Sequence, residues 1–175
     1  MTDSTTGGDT HDSAALLLSE TVEDFRRQKG QADRALAQLA DADWHATLGE
    51  ESNSIAVIVQ HLAGNLRSRW RDFLTTDGEK PDRDRDAEFE DAALSPADLL
   101  AQWEEGWRVA LASLDALTVT DVGSVVTIRG QPLTVAAALL RSLEHTAGHV
   151  GQIILLAKHR RGADWQTLTI PKARR

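Results

Sequence analysis

Two histidines four residues apart, His145 and His149 in SLEHTAGHVGQI, are well spaced to hold a metal ion. Side chains at i and i+4 of a helix share one face, with Cβ atoms about 6 Å apart. Two imidazoles so placed can converge on one ion at Zn–N distances of about 2.0–2.1 Å. The pair is not the H-E-x-x-H of zinc proteases, in which a glutamate directly after the first histidine is the general base. Here Thr146 follows His145, and Glu144 precedes it, turned about 100° round a helix. Without a third ligand, both histidines read equally well as satisfied or exposed side chains.

His61 is the candidate third ligand. It lies in SIAVIVQHLAGNLRSRWRDFL on one face with Val57, Ile58 and Asn65. It is either a core histidine bonded to a backbone carbonyl or a ligand projecting inward from a second helix, as in bundle metal sites. His45, after Trp44, is the alternative. His11 falls in a polar N-terminal stretch, and His159 lies ten residues past His149, about 15 Å along a helix. Asn65, four after His61, and Gln152, three after His149, are candidates to orient a ligand or a bound water. The simpler role for each is to satisfy a backbone group. Gly64, Gly148 and Gly151 stand beside the histidines, although a helix-interior glycine costs about 1 kcal/mol relative to alanine. They are expected to allow close backbone approach or to leave room for a ligand. Ordinary helix packing would also use them. No catalytic residue can be assigned from order alone.

The elements that must position these residues are four helical segments. Leu16, Leu17, Phe25, Ala32, Leu36 and Leu39 predict a first helix over about 12–39, with a bend or break at Gly30. Asn53 or Ser54 caps a second to about Leu74. Ser95-Pro96-Ala97-Asp98 opens a third to about Leu117, and Leu133–His159 forms the fourth. Trp70, Trp103 and Trp107 are read as core, and Trp165 as a pin for the tail. VVTI followed by Arg129-Gly130 predicts a short extended segment before the last helix. The fold class is therefore all-α, a four-helix bundle over residues 13–170, with a disordered tail at 1–12 and a basic tail at 171–175.

Between the second and third helices lies a long polar loop, TTDGEKPDRDRDAEFED. Asp82, Asp84 and Asp86 imitate the start of a calcium loop, but Ala87 and Ala93 stand where an EF-hand requires Gly and Glu. Arg83 and Arg85 interleave, so internal ion pairing is expected.

Composition narrows the functional classes. The 175 residues contain no cysteine, so a metal must be held by His, Asp or Glu. A net charge of −8 argues against nucleic acid as a partner. No apolar run approaches the roughly 20 residues of a membrane span, and no signal peptide is evident, so a cytoplasmic location is expected.

These motifs carry a resemblance. EHTAGHVGQI resembles the H-x3-H-x2-Q-I signature in the last helix of the DinB-like (YfiT-like) superfamily. NSIAVIVQHLAGNLRSRWRDFLTTDGEKPDRDRDAEF resembles one branch of it, through the second-helix His, the Gly-Asn after it and the DGEKP-D-R-D loop. The likeness spans roughly residues 15–170. It implies up-down-down-up connectivity and a divalent metal (zinc, nickel, iron or manganese) on His61, His145 and His149. It further implies a homodimer and a metal-dependent enzyme acting on a small-molecule substrate. Other branches hold transferases and isomerases that use low-molecular-weight thiols such as bacillithiol or mycothiol. A thiol-dependent S-transferase or a hydrolase is therefore expected here. A non-catalytic metal- or ligand-binding module for stress response or dimerisation is the alternative.

Overall fold

The computed structural model describes residues 6–170. Residues 1–5 of the expected N-terminal tail and all of the C-terminal tail lie outside them. Four helices account for most of the chain: α1 (Thr6–Leu36), α2 (Ile55–Trp70), α3 (Pro96–Asp115) and α4 (Val135–Arg161). Two strands, β1 (Val125–Ile128) and β2 (Gln131–Thr134), form an antiparallel hairpin before α4.

Contacts between elements fix the direction of each helix. Lys29 pairs with Glu104, and Trp103 Nε1 donates to Asp33 at 2.8 Å, while Arg26 pairs with Asp115. Residues ascending in α1 thus meet residues descending in α3, and the two are antiparallel. The starts of α2 and α3 share one end, because Ala56 N donates to Trp44 O while the adjacent His45 ring bonds Leu94 O. Arg160, at the end of α4, reaches Asp43 just past the end of α1. The order is up-down-down-up, with α2 packed chiefly on α3 and α1 on α4. Running α2 and α3 parallel obliges the intervening chain to cross back over the length of the bundle.

Local chemistry sets the helix ends. Ser54, Ser95 and Thr134 each accept a bond from the backbone N–H three residues on. This satisfies one of the donors left open in a first turn. Gly162, at φ +53°, ends α4. α1 runs unbroken through Gly30 and begins at Thr6, so it includes residues 6–12, for which a tail was expected. Of the residues in the apolar repeat, Phe25, Ala32 and Leu36 are buried but Leu16 and Leu17 are exposed, and Leu18 and Val22 face inward beside them. The core gathers Phe25, Trp70, Trp103, Trp107, Leu139 and Ile153, and Trp165 packs against it.

α2 and α3 approach closely at one point. A Cβ added to Gly106 would lie 2.8 Å from Ala63 O and 2.9 Å from Ala63 Cα. Both atoms are backbone, so no rotamer change relieves the clash.

The crossing loop is tied to the hairpin by Asp77. Its carboxylate accepts from Glu79 N (2.7 Å), Arg129 N (2.8 Å) and Gly130 N (2.7 Å). Arg129 and Gly130 both have positive φ, the geometry of a tight two-residue hairpin turn. Gly78 N donates to Thr127 O at 2.8 Å, a further tie between loop and hairpin.

Two outcomes are expected. Gly106→Val should lower stability in urea by about 2 kcal/mol through overpacking. Gly151→Ala, whose Cβ would meet nothing within 4 Å, should raise it by up to about 1 kcal/mol. Wild-type stability in Gly106→Val would refute the close approach. The second outcome concerns acid. Hydrogen bonds from the backbone of Glu79, Gly130 and Arg129 pull the Asp77 carboxyl from 3.8 down to about 2. A depressed folded pKa gives stability that is complete above about 4 and lost as pH falls towards about 2. The stability gap between wild type and Asp77→Asn should therefore be constant from neutral pH to about 5 and shrink below about 4. A gap independent of pH in that window would contradict this.

Candidate metal centre

His61 sits in the middle of α2, and His145 and His149 sit one turn apart on α4. The structure brings the three together. One ligand atom from each lies within 4.8 Å of the others, and His61 Nε2 is 3.2 Å from His145 Nε2. Tetrahedral zinc with bonds of about 2.05 Å separates its ligands by about 3.3 Å, so the spacing suits a shared ion. Among the described residues this is the only grouping of three or more potential metal ligands. His45 is excluded from it. Its Nδ1 bonds Asp91 at 2.9 Å and its Nε2 bonds Leu94 O at 3.0 Å, at the start of α3.

The orientation of His61 comes from a residue the sequence motifs did not point to. Glu88, on a single 3-10 turn (Ala87–Phe89), accepts from His61 Nδ1 at 3.0 Å. The turn is held over α2 by Gln60, which donates to Ala87 O and Glu90 O, and by the Asp84 carboxylate, which accepts from Ala87 N. Arg83 grips the Glu88 carboxylate at both oxygens, Nε to Oε1 at 2.8 Å and Nη2 to Oε2 at 2.5 Å. Burial alone would push the Glu88 carboxyl up, but the bonds from Arg83 and His61 outweigh it and hold the carboxyl below its ordinary value. An ionised carboxylate only accepts, so the His61 Nδ1–H donates to it, and Nε2 is the ring nitrogen that faces the other histidines. Carboxylate–histidine pairs of this kind fix the tautomer and basicity of metal-binding imidazoles.

Gly64 makes this possible. A Cβ at that position would fall 2.1 Å from Glu88 Oε1 and 2.6 Å from its Cδ. The other two glycines serve no close contact, which leaves the second of the two expected roles, open room beside the histidines. Added Cβ atoms at Gly148 and Gly151 would meet nothing within 4 Å. Gly148 instead lies in a surface depression of 400 Å³ that adjoins the histidines.

On α4, His149 Nδ1 bonds Gln152 Oε1 at 2.9 Å, so Gln152 touches the candidate ligand itself. Burial is the main cause that lowers both α4 histidines. His145 falls to about 4, helped by the neighbouring His149, His61 and Arg69. His149 is also lowered, with the Gln152 bond acting in the opposite direction. Both are therefore neutral at pH 7, the form a metal requires.

The histidines form one wall of a 260 Å³ pocket whose lining includes Asn65, Arg69, Arg85, Phe89, Arg141 and Ser142. The Phe89 ring lies against His61 with centroids 4.4 Å apart, and the Arg85 guanidinium lies over the same ring at 5.0 Å. Within the loop Asp86 pairs with Arg85, and Arg83 with Glu79 and Glu88, as the internal pairing expected, whereas Asp82 pairs outside it with Arg71 at the end of α2.

A solved DinB-like protein from Bacillus cereus ATCC 10987 has the same fold. It is 12% identical, with a TM-score of 0.57 over 88% of this chain and 95% of that one. The family model described as a protein of unknown function, DUF1572, matches residues 12–174. The chain belongs to that family, which is DinB-like. No curated protein matches the chain.

Replacing Glu88 by Gln keeps its size but removes the charge on the His61 proton. Zinc affinity, measured by competition with a chromophoric chelator, should fall about 10–100-fold. Unchanged affinity in a folded Glu88→Gln protein would remove Glu88 from the site.

Proposed function

We propose that this protein holds a divalent transition metal (zinc, nickel, iron or manganese) on His61, His145 and His149 and is a metal-dependent enzyme acting on a small molecule. Thiol-dependent S-transfer is favoured over hydrolysis. The observation that carries the reading is the convergence of three imidazoles at the wall of an accessible pocket. A divalent metal held there by three neutral imidazoles keeps an open position and lowers the pKa of a water or thiol that fills it.

The chain supplies the rest. Glu88 and Gln152 hold the rings of His61 and His149 by their Nδ1 atoms, which leaves each Nε2 free as a donor of electrons. Asn65 lies in the pocket wall four residues beyond His61 and orients the ligand. Hydrolysis needs a general base to take a proton from water. Among the described residues no carboxylate lines the pocket, and Glu144 lies outside it in the adjoining depression. A thiol, with an ordinary pKa near 8.5, ionises without such help. It must come from a low-molecular-weight cofactor, since the chain has no cysteine. A homodimer in the cytoplasm completes the proposal.

The missing carboxylate also favours a second reading, a non-catalytic metal- or ligand-binding module. Metal analysis of protein purified without chelator should give about one transition metal per chain, and His149→Ala should lose most of it. Wild type without bound metal would sink the metal site. Small thiols added to cobalt-substituted protein should produce a thiolate-to-cobalt absorption band. Metal without that band would favour the binding module over the transferase.

A further inference from the structure

We propose that the pocket beside the histidines takes a small molecule bearing an oxyanion, a carboxylate or a phosphate. Its anionic end sits on Arg69 and Arg141, and its other end reaches the three histidines. The inference deepens the metal-site reading and rests on it for the role of that second end.

Arg69 is the main observation. It is only 8% exposed, yet it makes no hydrogen bond and no ion pair among the described residues, and its Nε is buried without a partner. Burying an unpaired charge costs several kcal/mol, so native chains place a counter-charge beside one. The carboxylate acting on Arg69 from within the protein, Glu79, is already committed to Arg83 and Arg129, each at 3.1 Å. Burial, with Arg141, Arg83 and Arg129 nearby, pulls the Arg69 guanidinium down to about 10, so it remains charged at neutral pH. Its stem packs on Gly78 and Ile128, where a Cβ on Gly78 would lie 3.0 Å from Arg69 Cδ. That contact accounts for an apolar stem but not for a cationic head.

The surrounding groups fit the same ligand. Arg141 lies exposed at the rim with no ion pair among the described residues. Among the described residues Asn65, 9% exposed, has no hydrogen-bond partner, and Ser142 Oγ is buried without one. All four line the pocket. An oxyanion would give them an acceptor, and guanidinium pairs with carboxylates and phosphates through parallel N–H···O bonds.

Spacing sets the shape of the ligand. His61, Asn65 and Arg69 form an i, i+4, i+8 stripe on α2, and Arg141, His145 and His149 form one on α4. The arginines therefore begin about 6–12 Å along the helices from the histidines. A molecule spanning the two has its anionic group several bonds from the group at the histidines. A 260 Å³ pocket, near the lower end of ligand sites, suits a small one.

The test is calorimetric titration of metal-free full-length protein with succinate and with inorganic phosphate, with uncharged succinamide as control. Binding of either anion but not succinamide is expected, and the preferred anion names the group. Arg69→Met should weaken it at least about tenfold and Arg141→Gln about threefold or more, whereas zinc binding measured separately should stay within about twofold of wild type in both. The anion site and the metal site therefore fail separately. Arg69→Met without ligand should melt no lower than wild type, because an unpaired buried charge has been replaced by an apolar chain. No binding of either anion at about 10 mM, or undiminished binding in both arginine variants, would overturn the proposal. So would a lowered melting temperature in Arg69→Met together with full affinity in Arg141→Gln, which would make Arg69 structural.

Discussion

The carboxylate of Glu88, wedged between the Arg83 guanidinium and the His61 ring, ties the crossing loop to the bundle. It neutralises a buried cation on one side and fixes a buried imidazole on the other. Either partner left alone would be an uncompensated buried polar group, costing about 1–3 kcal/mol or more for a charge. Because Arg83 also binds Glu79, which in turn binds Arg129 of the hairpin, one chain of ion pairs runs from the hairpin to the candidate metal ligands. The loop that looks like a solvated connector is thus part of the wall of the site.

That arrangement explains why the pocket is cationic in a chain of net charge −8. The acids of the loop are used up where they stand. Asp82 meets Arg71, Asp77 meets backbone amides, and Glu79 and Glu88 share Arg83. Arg69 and Arg141, whose side chains reach the pocket from α2 and α4, are left over. Neutral histidines on one wall and unpaired cations on another make a site polarised along its length.

Much of this was legible in the sequence, for identifiable reasons. The four helices follow from apolar periodicity and from Ser54, Ser95 and Thr134 at their caps, which are local signals. The three histidines could be singled out because i, i+4 spacing on one helix and an apolar face on another both leave traces in order. Glu88 could not be found that way. It acts 27 residues from His61, through a single turn in a charged loop, and nothing in AEFED distinguishes it from its acidic neighbours. Arg69 had a usable signal, the four-residue repeat from His61 through Asn65, beside the buried Trp70. Gly148 and Gly151 left two roles open, close approach or free space, because a glycine reports only that no side chain is present; the structure shows free space at both. The exposed Leu16 and Leu17 misled because adjacent leucines leave the phase of a helix open to a one-residue shift.

Gly64 was read correctly as a gap, and its geometry has a consequence for relatives of this chain. The space above it is filled by the Glu88 carboxylate, 2.1 Å from where a Cβ would stand. Positions 64 and 88 therefore form one unit. A methyl group at 64 would force the Glu88 carboxylate out of its place between Arg83 and His61, so their substitutions will not be additive. In a related sequence, a glycine three residues after the second-helix histidine marks a chain that can seat an acid against that histidine. An alanine there marks one in which the acid must shift or the imidazole find its support elsewhere.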